Sequence, residues 1–449
     1  KEVMTTSSMQ RIDISRNIDL VLTNRVFGFP IFIFFIWAMF QLTFTLGEYP
    51  RGWIDAGMTF VSDLAGRALP EGLLKDLIIN GILAGVGSVI VFLPNILILF
   101  FCISLFEDTG YMARAAFLMD KIMHMIGLHG KSFIPMLMGF GCNVPAIMAT
   151  RTLESEKDRI LTILITPLMS CSAKLPVYIV LTGTFFGSKA GSVIFGVYLL
   201  GIVLSIITGR IFRSTLLRGA DAPFVMELPP YRAPMLKNLM IHMWDRGKIF
   251  LRKMGGVILV GSIVIWTLAS FPGLPLEMKD AFESRRTQIE LDADKKAILE
   301  SEKAANLEAV NREEKAAVRE YAFIGRIGKG LAPIFHPLGI DWRAGVALVT
   351  GFVAKEIVVS TLGVLHAVED PEGGEALQRA LKQSGMTPLS ALSIMVFVLL
   401  YIPCIATVSA IRRETGSLKW TLFNITYSTL LAWTVAFALY QGGKLIGFS

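Results

Sequence analysis

Residues 383–411 read QSGMTPLSALSIMVFVLLYIPCIATVSAI and contain no charged side chain. A helix needs roughly 20 apolar residues to cross the hydrocarbon core of a bilayer, and this stretch is long enough to do so. It is also interrupted, because Pro403 stands immediately before Cys404. Proline has no N–H and frees the carbonyl one turn earlier, so a span that carries it is kinked or unwound at that point. Irregular backbone at membrane depth survives only where protein or a wet cavity surrounds it. The stretch therefore predicts a membrane span with a break built into it.

Further stretches of the same kind lie along the chain. Charges are missing from 26–47, 77–105, 132–150, 190–209, 254–276 and 420–443, while 160–188 carries only Lys174 and 345–368 only Lys355 and Glu356. About nine segments thus qualify as spans or paired half-spans. Of 449 residues, 53% are hydrophobic and 18% charged, a balance that leaves a soluble domain no polar surface. The expected fold is an all-α polytopic membrane protein. The first apolar run is too long for a signal peptide and lacks a small-residue cleavage site. A net charge of +7 does not point to nucleic acid, because the basic residues gather beside the spans as the positive-inside rule requires.

Charge also sets orientation. The basic stretch 211–253, with Arg213, Arg218, Arg232, Lys237, Arg246, Lys248, Arg252 and Lys253, is expected in the cytoplasm, as is the leader 1–25 with Arg11 and Arg16. Residues 26–76 are read as a first transmembrane helix with an outer loop. The run 277–320 is a dense mixture of Lys, Glu and Ala, read as a solvated helical insertion with the length to fold back as a hairpin.

The segments 77–210 and 254–449 are related to each other. Gly127-Leu-His-Gly-Lys131 aligns with Gly339-Ile-Asp-Trp-Arg343, Gly139-Phe-Gly-Cys-Asn143 with Gly351-Phe-Val-Ala-Lys355, and Met169-Ser-Cys-Ser-Ala173 with Ile402-Pro-Cys-Ile-Ala406. The offset grows between the second and third matches, which places a loop insertion near 369–387. By the charge rule the first half starts outside and the second inside, predicting inverted repeats whose equivalent parts meet at the bilayer midplane.

The proline breaks carry thiols. Pro145 follows Cys142 and Asn143, Pro167 and Pro176 bracket Cys171, and Pro403 precedes Cys404. Cys171 and Cys404 are repeat equivalents, whereas Ala354 replaces Cys142 in the second half. Thiol sulfur with carboxamide or carbonyl oxygen suits borderline divalent metals better than calcium or magnesium, though it does not separate iron from manganese, cobalt or zinc. Cys102 lies on an unbroken stretch and reads as a small hydrophobe. The intramembrane Lys174 and Lys355 either pair with a carboxylate or act as struts on freed carbonyls. Glu356 and the Glu107-Asp108 pair are candidate sources of negative potential. The tripeptide Gly130-Lys-Ser132 is a false phosphate loop, since the required earlier glycine is Met125. No C-x-x-C pair supports a thiol–disulfide enzyme.

These motifs resemble a known family. Glu107-Asp-Thr-Gly-Tyr-Met-Ala-Arg-Ala-Ala-Phe117, Gly139-Phe-Gly-Cys-Asn-Val-Pro-Ala-Ile-Met-Ala-Thr-Arg151, Met169-Ser-Cys-Ser-Ala-Lys-Leu-Pro-Val-Tyr178, Ala354-Lys-Glu-Ile-Val-Val359 and Tyr401-Ile-Pro-Cys-Ile-Ala-Thr407 are similar to the gates of ferrous iron transport protein B. The resemblance implies a bacterial inner-membrane permease rather than an enzyme, with Fe(II) as cargo and Cys142, Cys171 and Cys404 on its path. Asn143, Glu356, Glu107 and Asp108 complete the candidate metal set. It implies no resident cofactor in these residues; GTP and Mg belong to an N-terminal cytoplasmic GTPase domain that this sequence does not contain, with 1–25 as its linker. Small cytoplasmic accessory proteins and a homo-oligomer are the partners it suggests, alongside the lipid bilayer, and nucleic acid is not among them. The alternatives are another divalent metal or a nucleoside-like solute, since the gate fold is shared.

Overall fold

The computed structural model describes residues 18–447 except 25–26, 71, 219–230, 232–233, 297–306, 308–309, 312, 315–316, 319, 356 and 367–373. Among the described residues every regular element is helical. Five helical segments are long and apolar enough to cross a membrane, and the pair Leu93–Asp108 and Tyr111–Lys121, bent by 83°, makes a sixth. The chain is an all-α polytopic membrane protein.

Helix α1 (Gly28–Ala68) runs for 41 residues with Pro50 inside it, so much of the expected outer loop is helix instead. It presents Phe34, Trp37 and Trp53 outward, as a wall facing lipid does. A π-helical turn, Leu77–Leu83, leads into α2 (Ala84–Asp108). Gly110, at φ 81°, then turns the chain sharply into α3 (Tyr111–Ile126). Several of the apolar stretches are not continuous helices. Residues 132–150 divide into α4 (Phe133–Gly141) and α5 (Asn143–Ala149). A second broken span follows as α6 (Glu156–Ile165) and α7 (Leu175–Phe185), and α8 (Ala190–Thr215) closes the first half.

The second half repeats this plan. Its leading helix α9 (Leu236–Ser270) begins well inside the segment read as a basic loop. Helix α10 (Leu276–Lys296) then leaves the bundle, and the chain returns beside it. Arg285 meets Glu313 at 2.6 Å, Arg286 donates to Asn311 at 3.0 Å, and Arg286 also pairs with Glu314, which sets residues 311–314 beside α10. Next come α11 (Phe323–Phe335), the short pair α12 (Trp342–Thr350) and α13 (Ile357–Leu365), and α14 (Gly374–Gln383). The sequence offset here is a helix and not a loop: Leu377 and Leu381 of α14 are fully buried in the main core. The broken pair α15 (Pro388–Leu400) and α16 (Ile405–Thr415), then α17 (Leu418–Leu445), end the chain.

The repeat extends to backbone detail. Gly127 and Gly339 both adopt left-handed φ, 80° and 70°. Each is followed by the hydrogen bond that ends a helix with such a residue: Leu128 N–H to Met123 O at 2.9 Å, and Ile340 N–H to Phe335 O at 3.3 Å. Packing is reciprocal as well. Helix α5 lies against α16 while α13 lies against α7, and α8 crosses α15 while α17 reaches α6 through Asn424 and Tyr427, both donating to Leu164 O. The leading helices α2 and α9 run antiparallel, as inversion between the halves requires. A Cβ on Gly81 would meet Trp266, one on Gly85 would meet Ser262, and one on Gly247 would meet Leu97. Small residues let these backbones approach closely.

Two polar junctions mark opposite ends of this antiparallel pair. At one, Trp266 Nε1 donates to Asp76 Oδ2 at 2.7 Å. At the other, the buried Arg114 of α3 donates to both carboxylate oxygens of Asp19, at 2.9 and 3.2 Å, and to Gly110 O at 3.1 Å. The Tyr231 ring lies 4.1 Å from the Arg114 guanidinium, and its hydroxyl donates to Asp19 at 2.9 Å. Burial, reinforced by the Asp19 hydrogen bond, pushes the Tyr231 phenol up to about 12, so it stays a donor at neutral pH.

Helix α15 is the centre of the core. Nearly all its side chains are buried, which suits a helix that is apolar all round, whereas the windows of α8 and α17 are only 17% and 22% buried.

Candidate functional site

Each of the three candidate thiols stands in extended backbone between two short helices. Cys142 joins α4 to α5 at φ −151°, ψ 128°. Cys171 (φ −80°, ψ 161°) precedes the 3-10 turn Ser172–Lys174 that opens α7. Cys404 (φ −56°, ψ 155°) precedes α16, and its sulfur lies 3.1 Å from the Thr407 hydroxyl. None of the three is in a disulfide. Prolines account for two of the breaks, since a helix through 171 or 404 would need N–H donors that Pro167 and Pro403 lack.

The breaks are neighbours. Ser172 Oγ donates to Gly141 O at 2.8 Å, tying the Cys171 break to the Cys142 break. Cys404 shares a small apolar cluster with Ala354, Ala406, Ile357 and Val144, the residue after Asn143. Lys174 links the Cys171 break to the Cys404 break: its Nζ donates to Pro167 O and Met169 O at 3.2 Å each and to Leu399 O at 2.7 Å. Lys174 is only 2% exposed. An ammonium at that depth costs about 3 kcal/mol on insertion scales, and three carbonyl partners offset it. Lys355 Nζ donates to Ile402 O at 2.8 Å and stands 3.1 Å from the Tyr401 ring centroid. For Lys174 the geometry displays the strut, and Lys355 holds a freed carbonyl in the same way.

Asn143 is buried, and no described residue donates to its Oδ1. That oxygen belongs to the residue next to the Cys142 thiol. Among the described residues no three side chains of His, Cys, Asp or Glu are gathered closely enough to chelate one ion.

Other candidates fall elsewhere. Glu107 and Asp108 sit at the α2–α3 elbow, beside the aromatic group of Phe35, Phe106 and Tyr111. Glu356 lies outside the described residues. Cys102 is packed among Leu99, Ile103, Met112 and Leu137, as a small hydrophobe is. The false phosphate loop takes a carboxylate: Gly130 N–H donates to Asp120 at 3.0 Å. Lys131 pairs with the exposed Glu154 at 2.8 Å, and this hydrogen bond holds the Glu154 carboxyl below its usual range.

Sequence reading passed over Tyr401 and Ser172. Tyr401 is buried at the Cys404 break, and no described group bonds its hydroxyl. Its place two residues before Pro403 was the available signal.

Comparison with known proteins bears on this arrangement. A family model described as Gate, nucleoside recognition, matches residues 89–185 and 251–418. One described as ferrous iron transport protein B C terminus matches 194–246. A Porphyromonas gingivalis protein named Fe(2+) transport protein A/Fe(2+) transporter FeoB fusion protein is 50% identical over 99% of this chain and 53% of its own length. The Fe(2+) transporter FeoB of Campylobacter jejuni is 40% identical over 99% of this chain and 68% of its own. That of Methanocaldococcus jannaschii is 40% identical over 99% and 61%. The chain thus spans between about half and two thirds of these curated relatives. No solved structure matches it.

Proposed function

We propose, from the premise that the chain belongs to the ferrous iron transport protein B (FeoB) family, that its helix breaks form the passage by which Fe(II) crosses a bacterial inner membrane into the cytoplasm. The observation that carries the reading is the pair of equivalent thiols, Cys171 and Cys404, at breaks linked to each other through Lys174. Sulfur gives a borderline divalent ion its preferred donor, and Cys142 and the Asn143 Oδ1 add a step beside it. Glu107 and Asp108, at the elbow, or Glu356 supply negative potential to the path. The basic residues around 211–253 support a cytoplasmic side for the Asp19–Arg114–Tyr231 end and the N-terminus, with the Trp266–Asp76 end outside. The relatives are longer than this chain, which leaves room for a GTP-binding domain controlling the passage. The fused Fe(2+) transport protein A in one relative supports a small accessory protein as partner.

Anaerobic Fe(II) uptake in cells expressing the full-length protein tests this. We expect Cys171→Ser and Cys404→Ser together to lower uptake by about 10-fold or more, the usual scale for disturbing a metal site. Unchanged uptake in the double variant at equal expression sinks the symmetric-pair reading. A nucleoside-like solute is the second reading, favoured by the description of the matching family model. Uptake of labelled nucleoside without iron uptake would establish it instead.

A further inference from the structure

The carbonyls freed at the two thiol breaks are held by lysine side chains, and the pattern follows the internal repeat. The alignment that pairs Cys171 with Cys404 also pairs Met169 with Ile402. Lys174 Nζ takes Met169 O at 3.2 Å, and Lys355 Nζ takes Ile402 O at 2.8 Å. The lysines themselves are not equivalent. Thr407 stands where the second half would repeat Lys174, and Asn143 where the first half would repeat Lys355. Two unrelated positions thus deliver the same cationic group to the same carbonyl in each half, so the requirement lies at the carbonyl.

Lys174 goes further and also takes Pro167 O at 3.2 Å and Leu399 O at 2.7 Å. In an unbroken helix Leu399 O would accept from residue 403, but Pro403 has no N–H. Three acceptors need three N–H groups, which an ammonium has and a neutral amine lacks. The Nζ therefore fills a three-oxygen cage as a tethered cation.

Clustered carbonyl oxygens are the donors of hard cations, as in calcium sites and potassium filters. With ammonium groups on them, these oxygens are withheld from a passing ion. What remains at the breaks includes thiol sulfur, the Asn143 carboxamide oxygen and the hydroxyls of Thr407 and Tyr401, and the sulfur tilts that set toward softer divalent metals. We propose that Lys174 and Lys355 are specificity-determining residues, tethered cations that keep the break carbonyls from serving harder ions. The proposal rests on the breaks being the metal passage.

The test offers Fe(II) and Mn(II) together, anaerobically, to cells expressing the full-length protein, Lys174→Met, Lys355→Met or Lys174→Arg, and measures both metals by mass spectrometry. Each Met variant is expected to raise the Mn:Fe accumulation ratio severalfold, while Lys174→Arg, which keeps a cation, stays near the parent ratio. A Met variant that reaches the membrane and leaves the ratio unchanged, or transports neither metal, overturns the proposal. If Lys174→Met is missing from the membrane by immunoblot, Lys355→Met, which leaves the three-oxygen cage filled, decides the question. Parent protein that accumulates neither metal above an empty-vector control refutes the transport reading itself, a result distinct from an unchanged ratio.

Discussion

Asn143 is held at a cost. A buried carboxamide oxygen without a donor forfeits about 1–3 kcal/mol of desolvation, and the fold tolerates this one beside Cys142. Asn143→Leu should therefore leave the melting temperature of the purified protein unchanged or raise it. The same substitution should lower Fe(II) uptake by about 10-fold if the oxygen serves the passing ion. A destabilised variant with normal uptake would show a structural role instead. At this scale the sequence was informative about thiols, because proline beside cysteine in a charge-free run has few other readings. It was silent about which lysine takes which oxygen. The partner of Leu399 O is a side chain 225 residues away, and no local pattern encodes that. Glu107 and Asp108 were chosen as acidic residues next to an apolar run, but proximity in sequence did not bring them to the breaks; the turn at Gly110 sets them at the elbow.

At the scale of elements, charge-free runs reported depth and prolines reported where helices stop. They marked the break at Cys142 inside 132–150 through Pro145, but did not report that 345–368 also holds a pair of half-helices, α12 and α13, since no proline stands between them. Helix α14 was read as a loop because its flanks are rich in Gly, Pro and acid, yet Leu377 and Leu381 give it a buried stripe. The repeated helix ends at Gly127 and Gly339 yield a prediction. A left-handed residue with a Cβ costs about 1–2 kcal/mol, so both Gly127→Ala and Gly339→Ala should melt lower than the parent. Gly339→Ala should lose more, because its Cβ would fall 2.0 Å from the Tyr440 ring, against 2.8 Å from the Arg213 Cγ at Gly127. Thermal unfolding followed by size-exclusion fluorescence orders the two, and equal melting temperatures would refute the equivalence of loss to crowding.

Across the whole molecule, the halves are also fastened at their surface. Arg151, in the 3-10 turn after α5, forms a two-pronged pair with Glu414 near the end of α16, both contacts at 2.6 Å. The Glu414 side chain is 5% exposed and the Arg151 side chain 51%. Removing the arginine strands a buried carboxylate, a loss of about 3 kcal/mol, whereas removing the glutamate frees a surface cation at about 1 kcal/mol or less. Arg151→Ala should thus be the more destabilising, with the double Ala variant recovering part of the loss. The reverse order in thermal unfolding would contradict it. The Asp19–Arg114–Tyr231 junction carries a consequence in time. Asp19 leaves the ribosome 95 residues ahead of Arg114, so the guanidinium emerges with its carboxylate already made. Tyr231 follows Asp19 by 212 residues, and at ~5–20 residues per second its ring arrives on the order of ten seconds after Arg114. The order of synthesis neutralises the charge first and seals it from water second.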